Sequence, residues 1–158
     1  NNLSVKLNLW DIAGQVRFQD QPHQFYQQSV GALVVFDLTN DRTFELAKFW
    51  KQQIDENART SKVEPVPTIL VGNKVDLIKD DKAWPAKKEE IKRFAEENNY
   101  IAFFETSALD GTNLEQMFYE LANYIMENNI QSELDKDLGS GVRIVDPANA
   151  EPPKKTCC

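Results

Sequence analysis

Apolar and polar positions alternate at the start of the chain: Leu3, Val5, Leu7 and Leu9 are separated by Ser4, Lys6 and Asn8. That period of two predicts a strand with one polar face over residues 3–9. Three later segments are continuously apolar: Gly31-Ala32-Leu33-Val34-Val35-Phe36, Thr68-Ile69-Leu70-Val71 and Ile101-Ala102-Phe103-Phe104. Runs of this kind are expected of strands covered on both faces. Between them, apolar residues recur at helical spacing. Residues 42–58 carry Leu46, Ala47, Trp50 and Ile54 on one stripe,. Residues 85–97 begin with Pro85, favoured at a first helical position, and align Ile91, Phe94 and Ala95,. Residues 113–128 align Leu114, Met117, Phe118, Leu121 and Ile125. Thr112 and Glu115 have the spacing of a capping box at the start of that helix. These stripes are read as core packing.

Strands alternating with helices predict an α/β domain with a mainly parallel sheet. Ligand sites in such folds lie beyond the carboxyl ends of the strands. The polar, irregular residues 12–29 read as loop, with room for a short helix. Beyond about residue 130 the periodicity stops. Residues 131–158 hold Gly139-Ser140-Gly141, three prolines and mixed charges, and are expected to form a flexible tail,. Its apolar island is Val142-Arg143-Ile144-Val145.

Composition narrows the function. Of the 158 residues, 41% are hydrophobic and 27% charged, an ordinary globular balance,. The net charge of −7 argues against nucleic acid as a partner, since phosphate binding calls for a basic surface,. No apolar run approaches the roughly 20 residues that span a bilayer. No secretory signal opens the chain. The first residue is Asn rather than Met, so a missing N-terminal segment is expected. The only cysteines, Cys157 and Cys158, are the last two residues. Adjacent thiols make a strained disulfide and a poor zinc site, which leaves lipid attachment.

The candidate chemistry sits at the strand ends. The first predicted strand runs into Trp10-Asp11-Ile12-Ala13-Gly14-Gln15. Asp11 can hold Mg²⁺ through water. Gly14 lets the backbone approach a phosphate, and Gln15 can orient an attacking water without ionising. The strand at 68–71 runs into Gly72-Asn73-Lys74-Val75-Asp76, followed by Leu77. A carboxylate at Asp76 accepts both the ring N–H and the exocyclic amine of guanine, a pattern adenine lacks. The Lys74 stem can lie over the base, and Asn73 can tie neighbouring loops together. The strand at 101–104 runs into Glu105-Thr106-Ser107-Ala108-Leu109, where the Ala108 N–H suits the guanine carbonyl. Each motif alone is weak. Their order, one per strand end, is what carries the guanine reading.

With these residues in place the chain resembles a Rab protein of the Ras superfamily, over about residues 3–129 and the last two. The segments Lys6-Leu7-Asn8-Leu9-Trp10, Arg17-Phe18, Phe25-Tyr26 and Val34-Val35-Phe36-Asp37-Leu38-Thr39 fall where Rabs carry similar ones. Ile12, where most Rabs have Thr, is similar to the Rab subgroup linked to lysosome-related organelles and mitochondria. The resemblance implies a P-loop NTPase of the Ras-like G-domain type, partial over residues 1–130, with a hypervariable tail over 131–158. It implies GTP/GDP and Mg²⁺ as cofactors, with Asp11, Ala13, Gly14, Asn73, Lys74, Asp76, Leu77, Ser107, Ala108 and Leu109 at the nucleotide and Gln15 catalytic. Trp10 and Phe25 would belong to the effector face. Cys157 and Cys158 would carry geranylgeranyl groups, two of which anchor stably where one does not. Val142-Arg143-Ile144 resembles the element that engages the prenylation escort. Further implied partners are effectors, an exchange factor, a GTPase-activating protein, a GDP-dissociation inhibitor and, through the tail, the cytoplasmic face of an organelle membrane.

Three departures from the family pattern stand out. Val16 replaces the usual Glu after Gln15, and Leu109 replaces the usual Lys beside the base. The 158 residues also contain no G-x-x-x-x-G-K-[ST] segment and no Thr-bearing first switch,. Without those phosphate donors, these residues alone are expected neither to bind GTP tightly nor to hydrolyse it. The strand that the family places between the Trp10 and Val34 strands is missing as well. The chain as given is therefore expected to be partly unfolded or prone to aggregate. Two rivals are a prenylated interaction protein that keeps the effector face without switching, and an unrelated doubly wound nucleotide or flavin binder.

Overall fold

The computed structural model describes residues 5–12, 29–58, 65–78 and 82–128. Strand β1 spans Ala32–Asp37, helix α1 Asp41–Asn57, strand β2 Thr68–Asn73, helix α2 Trp84–Glu97, strand β3 Ala102–Glu105 and helix α3 Leu114–Glu127. A single 3-10 turn, Val75–Leu77, follows β2. The sheet is parallel with order β1-β2-β3. The register sets Asp37 beside Asn73 and Gly72 beside Glu105, so the three strands end level with one another.

Each element has a local cause. Asn40 caps α1 by accepting the Arg42 N–H at 3.1 Å, and Asp41 places negative charge in the first turn,. Pro85 stands in the first turn of α2, where its missing N–H costs nothing,. β2 is buried from Thr68 to Gly72, as its apolar run predicts for a central strand,. It also runs on to Asn73. Gly72 allows this because a Cβ there would meet Leu38 Cδ2 at 2.4 Å and Phe103 Cε2 at 3.3 Å,.

The core has two layers. Helices α1 and α2 pack on one face, where Val34, Phe36, Leu70, Ala47, Ile91 and Ala95 are buried together. Phe44 bridges them, with its ring 5.0 Å from Phe36 and 5.1 Å edge-on from Phe94,. Helix α3 covers the other face, closing Met117, Leu121 and Ile125 over Ile69 and Val71.

Three expectations are corrected. The alternation over residues 3–9 does not produce a strand in its described part: residues 5–12 join no ladder, and Val5, Leu7, Leu9 and Trp10 are exposed. Alternation specifies a half-buried strand only beside a strand that completes its hydrogen bonds, and no described strand adjoins it. The apolar run of β1 is not covered on both faces either. Val35 is 58% exposed while its partner Val71 is 2% exposed. α3 packs over Leu33 and Val71, and Val35 lies beyond it. Finally, no capping box opens α3. Its N-cap is Asn113, in the left-handed region at φ 57° and without a side-chain cap bond. Thr112 turns its hydroxyl to Asp110 at 2.5 Å instead, forming an Asx-type turn that competes with the cap,.

The loop predicted at 12–29 lies mostly outside the described residues, as does the tail at 131–158. Among the described residues no helix is long and apolar enough to cross a membrane.

Candidate functional site

The ends of β2 and β3 bring the Asn73–Asp76 and Thr106–Ala108 segments, both expected to face a guanine base, side by side. The Val75 N–H donates to the Thr106 carbonyl at 3.0 Å, and the Thr106 N–H to the Gly72 carbonyl at 2.8 Å. Across this join, the Ala108 N–H donates to Asn73 Oδ1 at 3.0 Å. Asn73 thus ties the two loops together. It also holds the N–H that the sequence reading assigns to a guanine carbonyl, so a base at that position would share or displace the amide oxygen.

Each loop is fixed by its own bonds. Lys74 adopts φ 69° and ψ 36°, a left-handed conformation that costs a non-glycine residue about 1–2 kcal/mol,. The turn it makes lets Leu77 N–H reach the Lys74 carbonyl at 3.0 Å. Non-glycine residues held this way cluster at functional sites. In the second loop Ser107 is fully buried, and its Oγ accepts the N–H groups of Leu109 at 3.2 Å and Asp110 at 3.3 Å. Ser107 therefore builds the loop from within, and exposed Ala108 and Leu109 form its rim. Asp76 is half-buried, and Leu77 and Leu109 are exposed at 65% and 85%.

Two residues escaped the sequence reading. Asp37, at the end of β1, pairs through Oδ2 with Lys74 Nζ at 2.6 Å. Its Oδ1 accepts the Thr39 N–H at 2.9 Å and the Thr39 hydroxyl at 2.7 Å. Burial works against the Asp37 charge, but the bonds from Lys74 and Thr39 override it and hold the carboxyl at about 2,. Glu105 accepts the Trp84 indole N–H at 2.8 Å and pairs with Lys88, anchoring the start of α2 to the end of β3. Both acids close strand ends in the motif segments. The partners Lys74, Trp84 and Lys88 come from elsewhere in the fold, so spacing could not reveal them.

The remaining expected residues are not brought to this site. Asp11 is exposed in a segment outside the sheet. One carboxylate is a sufficient protein donor for Mg²⁺, which keeps most of its waters and takes phosphate oxygens. Among the described residues no group of three or more His, Cys, Asp and Glu could hold a metal. Ala13, Gly14, Gln15, Phe25, Cys157 and Cys158 lie outside the described residues.

The two loops that follow β2 and β3 carry a carboxylate at Asp76, a backbone N–H at Ala108 and the aliphatic stem of Lys74. An acceptor and a donor of these kinds are what the edge of a guanine base calls for. The model of the Ras family matches residues 1–127. The chain is a member of the Rab branch of the Ras family. It is 36% identical to human Ras-related protein Rab-32 over 84% of the chain and 60% of that protein. It is 38% identical to Ras-related protein Rab-32A of Dictyostelium discoideum, over 80% of the chain and 58% of that protein. Human Ras-related protein Rab-7L1 is 35% identical, over 80% of the chain and 61% of that protein. The chain thus spans about three-fifths of the length of these relatives. Membership fixes the Ras-like G domain as the fold.

Proposed function

We propose that this chain is the base-recognising and membrane-anchoring portion of a Rab-type GTPase switch. The observation that carries the reading is the Asn73–Ala108 bond, which joins the NKVD and TSA motifs at the ends of neighbouring strands. In this reading Asp76 accepts the guanine ring N–H and exocyclic amine. Lys74 lays its stem along the base, and Leu77 and Leu109 contribute apolar contact. Asp11 supports Mg²⁺, which when bound neutralises charge on the phosphates. Gln15 orients water for hydrolysis.

Phosphate recognition is the other half of such a site. The 158 residues contain no G-x-x-x-x-G-K-[ST] segment, so by themselves they hold the base without most of the phosphate contacts,. GTP binding by these residues is correspondingly weak and hydrolysis negligible.

At the other end, Cys157 and Cys158 carry two geranylgeranyl groups, introduced with the help of the prenylation escort. The GTP-bound protein recruits effectors on an organelle or vesicle membrane through a face that includes Trp10 and Phe25. Exchange factor, GTPase-activating protein and GDP-dissociation inhibitor set its cycle.

The test is competition among bases. Guanosine and GDP should shift the amide resonances of Asn73, Lys74 and Ala108, while adenosine and ADP should leave them unmoved. Equal response to both bases would exclude the reading.

A further inference from the structure

The Lys74 ammonium is already engaged before any ligand arrives. It sits on Asp37 Oδ2 at 2.6 Å, across the join between β1 and β2. The lysine side chain is half exposed and its partner only one-fifth exposed, so the carboxylate is the fixed member of the pair. Its fixity comes from its own turn. Oδ1 takes both the N–H and the hydroxyl of Thr39, and the Asp37 N–H donates to Thr43 Oγ1 at 2.9 Å. Lysine carries a long flexible stem whose ordering opposes ligand binding. A stem tied at its far end, and turned at its near end by a left-handed backbone, has lost that freedom in advance.

We infer that Asp37 is a positioning residue: it anchors the Lys74 ammonium so that the aliphatic stem is held as a ready-made apolar surface for the base. This rests on the guanine reading above. It has a chemical corollary. A lysine neutralised by Asp37 serves the ligand through its carbon stem rather than through its charge.

The atoms dictate the variants. Asp37→Asn keeps an amide oxygen for Thr39 and loses the charge that holds Lys74. Asp37→Glu keeps the charge on a longer reach. Lys74→Met keeps most of the stem and removes the ammonium. The experiment titrates the full chain with GDP and follows the Asn73 and Ala108 amide resonances, which report weak binding directly. Asp37→Asn should raise the dissociation constant ~10-fold, the size of a typical contact coupling, and Asp37→Glu should recover it to within ~3-fold of the wild-type chain. In a Lys74→Met background, Asp37→Asn should have no further effect, because nothing remains to be held.

An Asp37→Asn effect of equal size in both backgrounds would overturn the inference, leaving Asp37 a merely structural residue of its turn. So would an unchanged dissociation constant in Asp37→Asn alone. A wild-type chain whose resonances ignore GDP at millimolar concentration would overturn the guanine reading, and the role of Asp37 with it.

Discussion

The loops after β2 and β3 and the stretch from Val5 to Ile12 carry motif residues of similar quality, yet they end in opposite states. Asn73 and Ala108 meet at 3.0 Å, Ser107 is fully buried, and Lys74 is held in a left-handed turn. Asp11 and Trp10 lie exposed on a segment without a ladder. The difference lies in what precedes each motif. β2 is paired on both sides and β3 on one, so their last residues inherit a fixed place from the sheet. Residues 5–12 have no described strand beside them. A motif becomes a site only when the element that carries it is itself positioned.

The contrast can be broken most severely in the core. Leu70 is fully buried at the centre of β2, and Leu70→Ala should destabilise the domain by about 2–5 kcal/mol,. Chemical denaturation would read the loss, and the Asn73–Ala108 tie should weaken with it. Gly72→Ala forces a methyl against buried Leu38 and should cost about 1–3 kcal/mol by overpacking,.

A smaller effect follows from the acid at the end of β1. The Asp37 carboxyl is held at about 2, below its ordinary 3.8. A carboxylate lowered on folding stabilises the native state above its unfolded value, and the contribution disappears as pH falls through the folded one. Discounted for the half-exposed Lys74, that contribution is about 1 kcal/mol. Asp37→Asn should therefore lower stability by this amount at neutral pH, and the gap from the wild-type chain should close between pH 4 and about 2. At the other extreme, Leu9 is 65% exposed in the stretch without a ladder. Leu9→Ala should change the thermal midpoint little, corresponding to less than about 0.5 kcal/mol. A large loss there would show that the stretch is packed after all, and the contrast would fall.

Much of the scaffold was legible because its elements are locally consistent. The runs at 31–36, 68–71 and 101–104 and the helical stripes between them all appear, with ends shifted by one or two residues. The NKVD and TSA motifs were readable because each follows directly on an apolar run that forms a strand, buried in β2 and partly buried in β3. The Asn73 tie was anticipated, although its donor is the very N–H expected to serve the base. What escaped depends on neighbours distant in sequence. Asp37 meets Lys74 only because of the β1–β2 register, and Glu105 meets Trp84 only because α2 folds back over β3. The Thr112–Glu115 spacing misled because Asp110 captures the threonine first. The strand at 3–9 misled because a periodic pattern records a preference for a partner, not the partner itself.

The most direct measurement is the base selectivity of Asp76→Asn against the wild-type chain, read by the same amide shifts with guanosine and xanthosine. The carboxylate of Asp76 matches the donors of guanine, whereas an amide can donate to the extra carbonyl of xanthine. The wild-type chain should respond to guanosine and not xanthosine, and Asp76→Asn should reverse that preference. A variant that loses both responses equally, or keeps the wild-type preference, would contradict the assignment of the β2 and β3 ends as a guanine site.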